Sequence, residues 1–108
     1  MFKFDMIKYF FIKEDEKIKK ISIKGHALYA PENHDIVCAS VSTAIIITIN
    51  AIEIFELQSN INYSLKKGSF SLQLLKFDSI INKLLLNLEY NLKDLSKNYP
   101  KYLKEIKD

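Results

Sequence analysis

From Asp35 to Leu57 the chain runs for more than twenty residues without a glycine or a proline. The stretch AIIITI within it is β-branched, and propensity alone would make it a buried strand. Length argues otherwise, because the uninterrupted run is about twice as long as strands usually are. Val37, Val41, Ala44, Ile45, Thr48, Ile52 and Phe55 also recur at helical spacing. The expectation is one long helix, mostly buried, from Asp35 to about Phe55. The rest of the chain must then supply the surface that buries it.

Strands on both sides can do so. Residues from about Asp5 to Lys13 are rich in aromatic and β-branched side chains, and Glu14 to Lys17 form a polar turn. Ile21 and Ile23 alternate with Lys20, Ser22 and Lys24, the period-2 pattern of a half-buried strand. After the long helix, Ile61, Tyr63 and Leu65 precede Lys67-Gly68, and Phe70, Leu72 and Leu74 follow it, which reads as a hairpin. A second helix starts at Asp78 as N-cap and ends before Pro100. Its stripe of Ile81, Leu84, Leu85, Leu88, Leu92 and Leu95 lies opposite Lys83, Asn87, Asn91 and Asp94. The tail from Tyr102 to Ile106 is a short strand or a fraying turn. The order ββαββα predicts a single domain over residues 1–108. Its class is α+β, two-layer, a mainly antiparallel sheet with two helices on one face.

Composition narrows the function classes. With 48% hydrophobic and 27% charged residues in 108, the chain is a globular domain with its own core. Its one cysteine cannot form an internal disulfide, so a reduced, cytoplasmic setting is the default. Lys3, Asp5 and Lys8 interrupt the apolar N-terminus, leaving no signal-peptide core, and no membrane span is expected. The net charge of +3 is carried by lysines scattered among acids, with no arginine. That pattern reads as a solvated surface, and nucleic acid is not an expected partner. No glycine-rich phosphate cradle exists.

The chemistry concentrates in residues 25–42, GHALYAPENHDIVCASVS, which hold both histidines and the cysteine. If Asp35 caps the helix, Cys38 falls at its third position, where free N–H groups and the helix dipole favour a thiolate. The dipole contributes about 0.3–1 kcal/mol, less than one pKa unit, so a base is also needed. His26, at the end of the preceding strand, is the candidate. Ser42 lies one turn beyond Cys38 on the same face. Two other readings remain open: Cys38 as a small core hydrophobe, and His26, His34 and Cys38 as metal ligands, for which the usual zinc spacings are missing.

The run Gly25-His26-Ala27, then Asp35-Ile36-Val37-Cys38-Ala39 with Val41-Ser42, and INAIE at 49–53, resembles the signature of the ribosomal-processing cysteine protease (Prp) family. A fainter likeness extends through the hairpin to the Tyr-Pro-Lys-Tyr end of the second helix. The resemblance implies a cytoplasmic, homodimeric endopeptidase. It would remove the N-terminal extension of ribosomal protein L-twenty-seven and need no cofactor and no metal. Cys38 would be the nucleophile and His26 the general base and later acid, with Gly25, Asp35 and Ser42 supporting. A mobile loop, Ala27 to His34, would lie between base and nucleophile. The oxyanion would be held by N–H groups at the helix start, that of Cys38 among them. Asn33 stands where the family commonly has glycine, and Leu28 where it often has a small residue. Leu28 and Tyr29 flank the base and are the candidate wall of a substrate pocket. The competing class is a non-catalytic, ribosome-associated module that binds protein or RNA. His26 and Cys38 within reach of a modest loop movement would favour the enzyme, and Cys38 turned into the core would favour the module.

Overall fold

The computed structural model describes residues 6–25 and 32–107, with side chains at 32–35 outside that description. The elements are β1 (Ile7–Glu14), β2 (Lys17–Lys24), α1 (Glu32–Ile54), a 3-10 turn (Gln58–Asn60), β3 (Ile61–Lys66), β4 (Ser69–Leu74), α2 (Ser79–Asn98) and β5 (Leu103–Glu105). They form the expected α+β arrangement. The five-stranded sheet has the order β3-β4-β2-β1-β5. Every neighbouring pair is antiparallel except β1 with β5, where the tail joins as a short parallel strand.

β1 and β2 meet at Asp15-Glu16, both with positive φ (52° and 63°). A two-residue hairpin needs that backbone so that its turn follows the strand twist, and here neither glycine nor asparagine supplies it. Ile18 is out of phase with Ile21 and Ile23, and a register shift between Ile12 and Lys13 corrects this. The extra residue turns Ile18 into the core, where it is fully buried. The backbone N–H of Ile18 donates to Asn82 Oδ1 of α2 at 2.9 Å. The bulge thus pins α2 to the sheet. Across the same shift Lys13 reaches Glu89 of α2 at 2.7 Å, which gives that buried carboxylate its counter-charge.

α2 begins as expected. Asp78 Oδ1 accepts from the N–H groups of Ile80 and Ile81 at 2.8 and 3.2 Å. Ile81, Leu85, Leu88 and Leu92 are buried against the sheet and α1.

α1 departs from expectation in two ways. It starts three residues earlier, at Glu32, so Asp35 lies inside the helix and is not its cap. Pro31 just ahead and Glu32 in the first turn are start signals that outweigh Asp35. The helix is also only half-buried. Val37, Val41, Ile45, Ile49 and Ile52 enter the core, while Ile36, Ile46, Ile47 and Ile54 are exposed. By length and composition Ile36–Ile54 is apolar enough to cross a bilayer, which the sequence reading had not expected. Its packed face makes it a core helix.

Tyr9, 1% exposed, is pushed up to about 12 by burial first, then by Glu105 and Glu89. The folded state therefore holds this proton where the unfolded chain, near 10, releases it. The stabilisation is complete below pH 10 and is lost as pH climbs toward 12. Circular dichroism should show Tyr9→Phe unfolding at a higher pH than the parent, and identical alkaline midpoints would contradict this.

Candidate active site

Gly25 ends β2 with φ +124°, and a Cβ on it would lie 2.3 Å from the carbonyl oxygen of Met6. Only glycine fits there. Its N–H donates to the carbonyl of Gly68 at 3.0 Å, which ties the end of β2 to the β3–β4 turn. The chain therefore leaves the sheet toward position 26 from a clamped point.

Cys38 is half-buried on α1. It opens onto a cleft of about 210 Å³ together with Gly25, Val41, Ser42 and Ile45, and the turn residues Leu65 to Ser69 form its other wall. Gly25, Cys38 and Ser42 are thus brought together. Asp35 belongs to the second turn's approach on α1, with its side chain outside the described residues. His26, Leu28 and Tyr29 lie outside them altogether, as does the expected loop as far as residue 31. Its last three residues, Glu32, Asn33 and His34, are helix rather than loop.

The earlier helix start changes the electrostatics. Cys38 is the seventh residue of α1, not the third. The dipole effect fades beyond the first turn, so it contributes little to the thiol. A seventh residue's N–H is also bonded to the carbonyl four residues back. The Cys38 N–H is therefore not available to an oxyanion, contrary to expectation. Ser42, one turn along α1 from Cys38, and the Lys67-Gly68 turn on the other wall are polar residues that line the same cleft.

Sequence reasoning missed that turn. Lys67-Gly68 signalled a hairpin, but only the strand order places it beside Gly25 and Cys38, because β4 pairs with β2 and not with β1. The same order makes β3 an edge. The bond from Leu75 N–H to Asn60 C=O, with the two-residue turn, makes the even-numbered residues 60–66 the ones hydrogen-bonded to β4. The main-chain groups of Tyr63 and Leu65 consequently point to the open edge. Their side chains, 41% and 46% exposed, lie on the same side as Cys38. An extended peptide added to β3 would run into the cleft.

Comparison with known proteins identifies the family and the fold. The model of a family described as cysteine protease Prp matches residues 6–104. The ribosomal processing protease Prp of Staphylococcus aureus, in complex with a substrate peptide, has a TM-score of 0.79 at 22% identity over 94% of this chain and 98% of that one. The same protease with a covalently linked product peptide gives 0.76 at 27% identity, covering 93% and 97%. The protein SMU.848 of Streptococcus mutans gives 0.74 at 25% identity, covering 93% and 91%. Among curated proteins no significant match is found. A family match over residues 6–104, on a fold that carries its one thiol at an open cleft, shows that this chain is a member of the cysteine protease Prp family.

Proposed function

We propose that this protease removes the N-terminal extension of ribosomal protein L-twenty-seven in the bacterial cytoplasm, with Cys38 as nucleophile and His26 as general base and acid. The observation that carries the reading is that Cys38, half-buried at the margin of the core, lines a cleft together with Gly25, the residue directly before His26. That arrangement disfavours a purely structural thiol and a non-catalytic binding module.

The chemistry is acyl transfer. His26 takes the thiol proton, the thiolate attacks the scissile carbonyl, and the sulfur–carbon bond forms as the C–N bond breaks. His26 returns the proton to the leaving amine, and water then hydrolyses the thioester. The oxyanion is held by Ser42 and the Lys67-Gly68 turn. Gly25 fixes where His26 begins, and Asp35 supports the site from the start of α1. The substrate lies extended along β3, and Leu28 and Tyr29 wall the pocket for an aromatic residue ahead of the scissile bond.

The exposed apolar stripe of α1 supports a homodimer. Ile47 is 62% and Ile54 78% exposed, and a groove of about 730 Å³ between α1 and α2 adjoins Ile47. A second copy covering this face would bury it.

Intact-mass analysis of extended L-twenty-seven after incubation tests the function. A single cut, after an aromatic residue, is expected. Replacing that residue by alanine should cost about 2–4 kcal/mol of transition-state binding, the range for deleting a buried ring. Equal cleavage of the altered substrate would refute the pocket, and no cleavage of the natural one would refute the substrate.

A further inference from the structure

On the sheet face opposite the helices, register places Lys104, Lys8, Lys24, Ser69 and Lys66 side by side in one row across all five strands. At about 4.8 Å per strand the row is roughly 19 Å long. All four lysines are exposed, and none forms an ion pair among the described residues. Lys8 stands directly opposite both Lys24 and Lys104, and opposed like charges destabilise a sheet. The next row is Phe10, Ser22, Ser71 and Ser64, with Lys20, Gln73 and Asn62 in the row beyond. Among the described residues the first acid on this face is Glu14, about 20 Å from Lys8 along β1.

A solvated lysine surface intersperses acids, and this one separates them. We propose that the open face binds single-stranded RNA, with the lysine row on successive phosphates and the half-buried Phe10 ring, Ser71 and Ser64 beneath the bases. A phosphodiester backbone is the linear polyanion that a straight row of point charges fits. Among the described residues this face presents the Phe10 ring as a stacking surface and no helix to enter a groove. Lysine without arginine predicts binding that follows charge and not sequence. The proposal is independent of the protease reading.

The test is fluorescence anisotropy with a labelled twelve-nucleotide oligouridylate. Four neutralised phosphates predict a slope of about −3 in log K against log salt, or about 50-fold weaker binding at 200 mM than at 50 mM. Lys8→Gln, Lys24→Gln and Lys104→Gln together should weaken binding at least tenfold and reduce the slope to about −1, without lowering the unfolding temperature. The charge-matched set Lys76→Gln, Lys83→Gln and Lys97→Gln should leave binding nearly unchanged. Equal losses in both sets, or no binding at 50 mM salt, would overturn the proposal. Equal or tighter binding of polyglutamate or of anionic vesicles would overturn the assignment to RNA.

Discussion

Cys38→Ala is expected to stop peptide cleavage while the protein still folds. Loss of a nucleophile costs about a millionfold in turnover when the remaining groups act only through it. The structural cost is small by comparison. Cys38 is half-buried and packs on the margin of the core between Val37 and Val41, so removing one sulfur atom should destabilise by about 1 kcal/mol. Cys38→Ser keeps the shape and should also be inactive, because a hydroxyl is far harder for an imidazole to deprotonate than a thiol. With Cys38 in the second turn of α1, the helix dipole supplies little activation. In the proposed mechanism the burden then falls on His26. His26→Ala should accordingly fall near the upper end of the usual 10²–10⁴-fold contribution of a positioned acid–base group. His34→Ala should do little. Unfolding scans beside cleavage assays separate the two effects. Activity that survives in Cys38→Ala would end the thiol-protease mechanism, and equal losses from both histidines with bound zinc would turn it into a metal site.

The sequence showed the helices and strands through periodicity, and their edges through local signals. Asp78 and Pro100 bracket α2 because capping and the missing proline N–H act at single positions. The start of α1 was less legible. Asp35 and Pro31-Glu32 are both start signals, and four residues apart they compete. The outward face of α1 was illegible for another reason: isoleucine reads as core whether or not anything covers it. Ile18 could be placed only through the bulge, since period 2 alone assigns it to the wrong face. The candidate site divides in the same way. Gly25, Cys38 and Ser42 stand within eighteen residues and were found together, whereas Leu65 to Ser69 reach the cleft only through strand order. The lysine row has the same origin. Along the chain Lys8, Lys24, Lys66 and Lys104 are far apart, and pairing register alone aligns them.

Gly25→Ala is expected to be the most destabilising methyl group that can be added beside the site. Its φ of +124° is a conformation available essentially to glycine alone, at a cost of about 1–3 kcal/mol for any other residue. The added Cβ would also meet backbone on the first strand, 2.3 Å from the Met6 oxygen and 3.0 Å from the Ile7 Cα. Backbone cannot rotate aside as a side chain can, so β1 must shift or β2 must release Gly68. Together the loss should be about 3 kcal/mol or more, a large share of the roughly 5–15 kcal/mol that holds a domain folded. In a chain of this size that lowers the unfolding temperature by about 12–24 °C. Gly68→Asn provides the contrast. Its φ of +74° lies near the left-handed region that asparagine tolerates, so the penalty there should stay below about 1 kcal/mol. Cleavage by Gly25→Ala, measured well below its unfolding temperature, should fall steeply as well, because an angstrom of displacement at position 25 is passed directly to His26 and can cost about a hundredfold. If Gly25→Ala melts with the parent protein, the close approach to β1 is wrong. If it melts early yet cleaves normally in the cold, Gly25 supports the sheet and does not place the base.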